Sequence, residues 1–163
     1  MNYAAQMAQG DTLYFVHADT LPADSFCRDI SETLNQGYEA GTFRSRFETR
    51  NPLMKVNAYV TRFDRMFLRG GDQSIFIRRD AFEELGRYRE DYRIMEDFDL
   101  IQKLRDRKKF KILPKSTLIS TRKYIGNGYF RVNFANLVIV TMYRMGASQE
   151  KMVNTYKTLL NYR

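Results

Sequence analysis

The stretch from Gly10 to Thr20 reads GDTLYFVHADT, and it decides the fold class. Residues 12–16, TLYFV, form a short run of aromatic and branched side chains, which is typical of a buried strand. The run ends at His17-Ala18-Asp19-Thr20. In α/β sheets, ligands bind beyond the carboxyl ends of the strands, and Asp19 follows such an end.

Helices are predicted on both sides of this stretch. Residues 2–9 indicate the end of a helix, which Gly10 terminates. After the loop, Pro22 lies near the first turn of a second helix, which Gly37 closes. The apolar face of this helix consists of Phe26, Ile30 and Leu34. The order helix, strand, polar loop, helix favours an α/β sheet flanked by helices.

The rest of the chain continues this alternation. Residues 38–48 predict a strand or hairpin arm, 74–79 another strand, 80–85 a short helix, and 96–104 a helix. Residues 111–114, KILP, and 116–121, STLIST, predict two late strands, and helices are predicted at 129–143 and 148–160. A further amphipathic helix begins at Pro52, with apolar residues spaced 3, 4, 3 and 4 apart: Leu53, Val56, Val60, Phe63 and Phe67.

The composition limits the class of protein. The 163 residues are enough for one domain with a core, which we divide into an α/β core at 1–124 and a helical segment at 125–163. With 44% hydrophobic and 28% charged residues, the chain is globular rather than disordered. The single cysteine, Cys27, excludes an internal disulfide and favours a reducing compartment. No secretory signal is recognised, and the longest apolar stretch, around 134–145, is shorter than the roughly 20 residues that cross a bilayer.

The net charge of +8 is concentrated in one part of the sequence. Residues 102–131 contain ten lysines and arginines and a single acid, Asp106. Such a block favours an anionic partner, which can be a nucleic acid, acidic lipid head groups or a diphosphate. The alternative is a solvated face that only keeps the protein soluble.

Two acidic sites are candidates for chemistry. Asp19, at the end of a buried strand, can hold a divalent cation that bridges phosphate oxygens, although an aspartate there can also simply cap the next helix. Glu96 and Asp97 lie at a predicted helix N-terminus, whose dipole keeps carboxylates ionised. An ionised carboxylate held there can accept a proton from an attacking hydroxyl, but acids are also common at helix starts.

Two further groups are less specific. The paired glycines of Gly70-Gly71-Asp72-Gln73 allow close backbone approach, and Asp72 and Gln73 can hydrogen-bond a polyhydroxyl substrate, although the segment also reads as a plain turn. Arg122, after a late strand, can neutralise a leaving diphosphate.

Taken together and in this order, these motifs resemble the family 2 glycosyltransferases, and most closely a small bacterial subgroup whose metal motif reads His-Ala-Asp. The resemblance runs from Met1 to about Tyr156. The segments that carry it include GDTLYFVHADT (10–20), AGTFRSRF (40–47), GDQSIFIRRDAFEELGRY (71–88), MEDFDLIQKLR (95–105) and YRMGASQEKM (143–152). It implies a GT-A fold, with a Rossmann-like, mostly parallel sheet flanked by helices and a helical C-terminus.

The resemblance also implies roles for the candidate residues. Asp97 would be the general base of an inverting transfer from a nucleotide-diphosphate sugar to a hydroxyl acceptor, supported by Glu96. The donor diphosphate, with its Mg²⁺ or Mn²⁺ on Asp19, would lie near His17, Ala18, Asp19 and Arg122. Gly71, Asp72 and Gln73 would lie near the sugar or acceptor. Because the chain begins inside the helix before the metal motif, we expect the family's opening strands to be absent.

Two other functions stay open at this point. A chain without the opening strands can be a catalytically inactive remnant that serves as an interaction or structural module. A basic nucleic-acid-binding protein is supported only by charge, since no helix-turn-helix, zinc-ligand or RNA-binding aromatic motif is recognised, and we expect no nucleic-acid partner. The basic block and the aromatic C-terminal helices instead fit an acceptor tethered to a membrane surface, and hence a cytoplasmic protein peripheral to the inner face of the membrane.

Overall fold

The structure is a computed structural model, and it describes residues 1–63 and 74–160. In these ranges strands and helices are interspersed as far as residue 119, and the chain after that is helical. The strands are β1 (Thr12–Phe15), β2 (Thr20–Leu21), β3 (Ala40–Phe47), β4 (Ile75–Arg78) and β5 (Phe110–Ile119). The helices are α1 (Asn2–Met7), α2 (Phe26–Asn35), α3 (Pro52–Val60), α4 (Arg79–Glu84), α5 (Glu96–Asp106), α6 (Arg122–Asn127), α7 (Tyr129–Arg144) and α8 (Gln149–Leu159). The predicted mixed α/β class is confirmed.

The five strands form one sheet in the order β1-β4-β3-β5-β2. Strands β3 and β5 pair in parallel, whereas β4 is antiparallel to both of its neighbours, β1 and β3, and β2 is antiparallel to β5. The sheet is therefore mixed. The prediction of a mostly parallel sheet does not hold for the described strands, because β4 and β2 each run against the strands beside them.

The connection between β1 and β2 forces the sheet to curl. These strands lie at opposite edges of the sheet, yet only residues 16–19 join them. Five flat strands would separate the two edges by about 19 Å, whereas the chain from Phe15 to Thr20 reaches at most about 18 Å. A hydrogen bond from the Thr20 amide to the His17 carbonyl (3.0 Å) shortens this reach further. The two edges must therefore bend toward each other at the loop.

Helices cover both faces of the sheet. Alternate strand residues point to opposite faces, so that Ile77 packs in one cluster with α4 and α5 and Phe76 packs in another with α2. The first cluster includes Leu13, Phe82, Leu100 and Leu104, and the second includes Ile30, Leu34, Phe43 and Leu113. A third cluster, Val132, Ala135 and Leu160, joins α7 to the end of α8. The predicted helical C-terminus is confirmed.

Two predicted boundaries are wrong. Helix α2 begins at Phe26 rather than near Pro22. Residues 20–21 pair with β5 as strand β2, and residues 22–25 connect this strand to the helix. The two late strands are one strand, β5, whose register against β3 shifts between Leu113 and Ser116. Pro114 has no amide hydrogen to donate, so the shift lets the strand continue past it as a bulge.

Helix α3 is confirmed, but its buried side is not the predicted one. Met54 is buried, whereas Leu53, Val56 and Phe63 are 40%, 56% and 46% exposed. Its contacts explain the difference. The Thr61 hydroxyl, at the end of the helix, accepts a hydrogen bond from the Ser45 amide of β3 (3.0 Å). This polar contact helps to fix the side of the helix that faces the sheet. Phe67, the last residue of the predicted stripe, lies outside the described residues.

Gly41 of β3 gives a direct test of the packing between strands. A Cβ there would lie 2.5 Å from the Lys111 carbonyl oxygen and 2.5 Å from Cζ of Phe76. We expect Gly41→Ala to lower the free energy of unfolding by about 2 kcal/mol, because backbone and a buried ring cannot both move away. Urea denaturation followed by circular dichroism measures this. The control is Gly126→Ala in α6, where a Cβ meets nothing within 4 Å and we expect no loss. Equal stability of the two variants would contradict the strand packing.

Candidate functional site

The loop between β1 and β2 presents Asp19 at one edge of the sheet. Thr20 pairs with Ile119 in the β2–β5 ladder, and the Ser120 amide donates a hydrogen bond to the Asp19 carbonyl (3.2 Å). The backbone of Asp19 is thus fixed to the end of β5, while the residue itself and Ala18 are exposed. Its carboxylate forms no hydrogen bond or ion pair with the other described residues, so it is available to a ligand.

The start of α5 presents Glu96 and Asp97. Met95, the residue before the helix, has a left-handed backbone with φ of 67°. Such a conformation costs a non-glycine residue free energy and is often found at functional sites. Glu96, Asp97 and Asp99 all lie in the first turn, where the helix dipole stabilises negative charge. Asp97 is only 7% exposed, so its carboxylate is held almost entirely within the protein.

The structure brings these two motifs together. Nε2 of His17 lies 3.8 Å from Oδ2 of Asp97. His17 is two residues before Asp19, so one imidazole connects the turn that presents Asp19 with the turn that presents Asp97. The sequence predicted both turns but did not predict their contact. The resemblance places His17 beside the diphosphate with Asp19, and the structure adds the approach of its imidazole to Asp97.

Tyr88 is a member of this group that the sequence analysis missed. Its hydroxyl is buried without a hydrogen-bond partner of ordinary geometry in the described residues. Burial raises the pKa of Tyr88, and the nearby charge of Asp97 raises it further, so the hydroxyl keeps its proton. The Asn2 side chain fixes the Tyr88 backbone through hydrogen bonds to its carbonyl (2.8 Å) and from its amide (3.2 Å). In the sequence, a single tyrosine after a predicted helix indicates a core residue and carries no sign of a functional role.

A cavity of about 390 Å³ opens beside Asp97. It lies between the start of α5 and helices α7 and α8. Its apolar wall consists of Ile94, Met95, Phe98, Ile139, Val140 and Val153. Its polar lining includes three cations, Arg93, Lys123 and Lys157, together with Glu96, Asp97, Asn136 and Tyr156. The cavity thus combines an apolar wall and basic groups with a buried carboxylate.

A second cavity, of about 460 Å³, lies beside Asp19. Thr20, Glu48, Ser120 and Thr121 line it together with Asp19. The Thr20 hydroxyl is buried and has no hydrogen-bond partner among the described residues. Arg122 follows directly, and its Nε donates to the Ser120 hydroxyl (3.3 Å). The cavity therefore offers a carboxylate and an adjacent guanidinium, which are groups that bind metal ions and phosphates.

The donor groups present suit only one kind of metal site. Within residues 1–63 and 74–160, no three His, Cys, Asp or Glu side chains come together as a metal site. Asp19 and Glu48 supply two carboxylates to their cavity. Mg²⁺ is commonly bound through one or two carboxylates and completes its coordination with substrate phosphates and water. The residues fit a metal that arrives with a diphosphate, and they do not fit a closed structural site.

Three of the predicted residues cannot be compared with the structure. Gly71, Asp72 and Gln73 lie outside the described residues. Of the others, Ala18, Asp19 and Arg122 are near one cavity, Glu96 and Asp97 line the other, and His17 lies between the two motifs.

No protein-family model, no curated protein and no solved structure matches the chain. None of the helices in the described ranges is long and apolar enough to span a membrane.

Glu96 gives a pH-dependent test of the site. Burial raises the pKa of Glu96, and the charge of Asp97 raises it further. A raised pKa means that the folded state binds the proton more tightly than the unfolded chain does. Stability is therefore lost as the pH rises from the ordinary glutamate range through the raised value. We expect Glu96→Gln to gain stability relative to the unmodified chain as the pH goes from 4 to 8.

Urea denaturation across this pH range measures the difference. Glu150→Gln is the matched control, because Glu150 also lies in the first turn of a helix, α8, but is exposed. A Glu96→Gln difference that does not change with pH would contradict the raised pKa of Glu96.

Proposed function

We propose that this chain belongs to a GT-A-type glycosyltransferase and that its two cavities are the two halves of a site for inverting sugar transfer from a nucleotide diphosphate to a hydroxyl. The observation that carries the proposal is the 3.8 Å approach of His17 Nε2 to Asp97 Oδ2. This contact links the loop after β1, which can bind a diphosphate, to the start of α5, which can supply a general base. The motif resemblance supports the same assignment.

Asp97 is the general base in this proposal. It lies in the first turn of α5, at the end of the helix that attracts negative charge. Nε2 of His17 lies 3.8 Å from its Oδ2, and the buried Tyr88 side chain lies close enough for the charge of Asp97 to raise the pKa of the tyrosine. The acceptor hydroxyl gives its proton to Asp97 while its oxygen forms a bond to the anomeric carbon. The bond from that carbon to the diphosphate oxygen breaks at the same time, and the electron pair leaves with the diphosphate. A single displacement of this kind inverts the anomeric carbon.

The donor half of the site is the cavity beside Asp19. The Asp19 carboxylate and the nearby Glu48 are the groups that would hold Mg²⁺ or Mn²⁺, and the bound metal would supply positive charge to the donor diphosphate. Arg122, fixed at Ser120, can stabilise the charge on the departing diphosphate.

The acceptor half is the cavity beside Asp97. Its apolar wall fits a hydrophobic part of the acceptor, and its three cations, Arg93, Lys123 and Lys157, fit an anionic part. An acceptor that presents a hydroxyl near a phosphate and a hydrocarbon chain would use all of these groups. A lipid-linked hydroxyl compound meets this description. Gly71, Asp72 and Gln73 remain candidates for contacts to the sugar or the acceptor.

The alternative is a non-catalytic module. It is favoured because no three His, Cys, Asp or Glu side chains of the described ranges come together as a metal site. Nucleotide binding separates the two functions, because a non-catalytic module has no need of metal-dependent binding of a nucleoside diphosphate.

Substitutions of two aspartates test the assignment. We expect Asp97→Asn to reduce transfer by at least about 100-fold, because the base is lost, while binding of UDP or GDP with Mn²⁺ is unchanged. We expect Asp19→Ala to weaken that metal-dependent binding. Isothermal titration calorimetry measures binding, and release of nucleoside diphosphate from a panel of sugar donors measures transfer. The matched control is Asp106→Asn, on the same helix as Asp97 but exposed.

Two outcomes would contradict the proposal. Full transfer activity in Asp97→Asn would exclude Asp97 as the base. A well-folded chain that binds neither nucleotide in the presence of Mn²⁺ would favour the non-catalytic module.

Tyr88→Phe tests whether Tyr88 positions the base. We expect turnover to fall about tenfold with KM unchanged, because the Asp97 carboxylate loses the buried hydroxyl that lies beside it and is less well oriented. The free energy of unfolding should change by less than about 1 kcal/mol, because a neutral hydroxyl without a hydrogen bond of ordinary geometry contributes little net stability. Steady-state kinetics and urea denaturation measure the two effects. A loss of stability with unchanged turnover would show a purely structural role.

A further inference from the structure

Helix α5, which carries Asp97, begins directly after a left-handed turn. Met95, the residue before the helix, has φ of 67°, and its side chain does not cap the first turn. Arg87, near the start of the connection from α4, is also left-handed, with φ of 61°. Residues other than glycine keep this conformation only where surrounding contacts hold them in it. The position of Asp97 therefore depends on what holds residues 87–95.

Gln149, the first residue of α8, makes such a contact with the turn. Its side-chain oxygen, Oε1, accepts hydrogen bonds from two successive backbone amides, those of Arg93 (3.1 Å) and Ile94 (3.2 Å). Only the oxygen end of the amide group can make this contact, because both partners are donors. Since one oxygen binds both amides, it fixes the direction of the backbone just before Met95.

Ile94 is three residues before Asp97, and the backbone between them is part of a hydrogen-bonded turn. The Met95 carbonyl accepts a hydrogen bond from the Phe98 amide (3.1 Å), so Asp97 lies inside this turn. A shift of Ile94 would therefore be carried to the Asp97 carboxylate. It would also change the 3.8 Å approach between that carboxylate and Nε2 of His17.

The end of α7 contacts the same turn through aromatic rings. The ring centroid of Tyr143 lies 6.2 Å from that of Tyr92 and 6.3 Å from that of Phe98, both in edge-to-face arrangements. Tyr92 precedes the turn and Phe98 follows it. These ring contacts hold the two helices beside the turn. The hydrogen bonds of Gln149 add a fixed direction, because hydrogen bonds weaken steeply as the donor bends away from the acceptor.

The face of α8 that includes Gln149 also forms part of the cavity beside Asp97. Val153, Tyr156 and Lys157 line that cavity. They follow Gln149 by four, seven and eight residues, which is the spacing of one helix face. Gln149 thus joins the wall of the proposed acceptor site to the turn that carries the proposed base.

We propose that Gln149 is a positioning residue, which holds the start of α5 so that the Asp97 carboxylate keeps its place in the acceptor cavity. It acts through the backbone of Arg93 and Ile94. Its role in transfer rests on the proposed function, because it concerns the orientation of the proposed base. The coupling between α8 and the start of α5 does not rest on that function, and it can be measured separately.

NMR spectroscopy of the full chain tests the coupling without an assay of transfer. His17 is the only histidine, so its imidazole signals are assigned without ambiguity. Gln149→Leu removes the acceptor oxygen, and we expect the His17 ring signals to shift at a fixed pH. We expect the Ile94 amide to exchange with solvent about tenfold faster, which corresponds to the net free energy of one hydrogen bond. Gln149→Glu keeps an acceptor oxygen on a side chain of the same length, so both measurements should stay close to those of the unmodified chain.

Steady-state kinetics test the role in transfer. We expect Gln149→Leu to lower kcat about tenfold, because a misplaced base slows the chemical step. KM for the donor should be unchanged, because the cavity beside Asp19 is lined by the β1–β2 loop, Glu48 and the end of β5. Gln149→Glu should keep kcat within about twofold of the unmodified chain, since it keeps the acceptor oxygen.

The matched control is Gln102→Leu. Gln102 is exposed on α5 itself, and its side chain donates a hydrogen bond to Asp106 (2.9 Å) within the same helix. Its substitution also removes one glutamine hydrogen bond, but it should leave kcat, the His17 signals and the exchange of the Ile94 amide unchanged. Urea denaturation verifies that each variant is folded.

Two results would overturn the proposal. One is a Gln149→Leu variant with unchanged His17 signals and unchanged exchange at Ile94. The other is a Gln149→Leu variant that loses stability but keeps its kcat, because Gln149 would then only pack α8 against the turn. Failure of the proposed function looks different, since the unmodified chain would turn over no donor while the expected NMR changes still support the coupling.

Discussion

The short connection between β1 and β2 is the constraint on which the rest of the site depends. Four residues join strands at opposite edges of a five-stranded sheet, so the edges must bend toward the loop. This bend brings the end of β1 to the end of β5 and ties Asp19 to Ser120. The same loop directs His17 toward Asp97 at the start of α5. A longer loop would allow a flatter sheet and would leave these groups apart.

Helices α7 and α8 do more than form the third hydrophobic cluster. Their packed side joins Val132 and Ala135 to Leu160, their lateral side supplies part of the wall beside Asp97, and the outer side of α7 is apolar and exposed. One helix thus links core packing, the cavity and the surface. The cations are divided as well, since Arg107 and Lys115 near β5 pair with acids of the chain, whereas the exposed Arg131 lies on α7 itself.

The sequence predicted best those helices and strands that are marked by a pattern of neighbouring residues. The strand at residues 12–16, the helix after Met95 and the two C-terminal helices each follow from side-chain periodicity and from glycine or acidic residues at their ends. The same reasoning was wrong about the buried side of α3, because contacts from Thr61 to β3 outweigh the apolar stripe. It also divided β5 at Pro114, because a bulge that keeps a strand continuous depends on the neighbouring strand.

By itself, the sequence determined the mixed α/β class, the strand that ends at the polar loop, the acids at the start of α5 and the basic character of the C-terminal half. These features depend on neighbouring residues, and neighbouring residues are what a sequence displays. Only the tertiary structure decided that β4 runs antiparallel to both of its neighbours, that His17 contacts Asp97 and that Tyr88 lies buried beside it. These arrangements depend on how strands and helices pack against one another in three dimensions, which no local sequence pattern encodes.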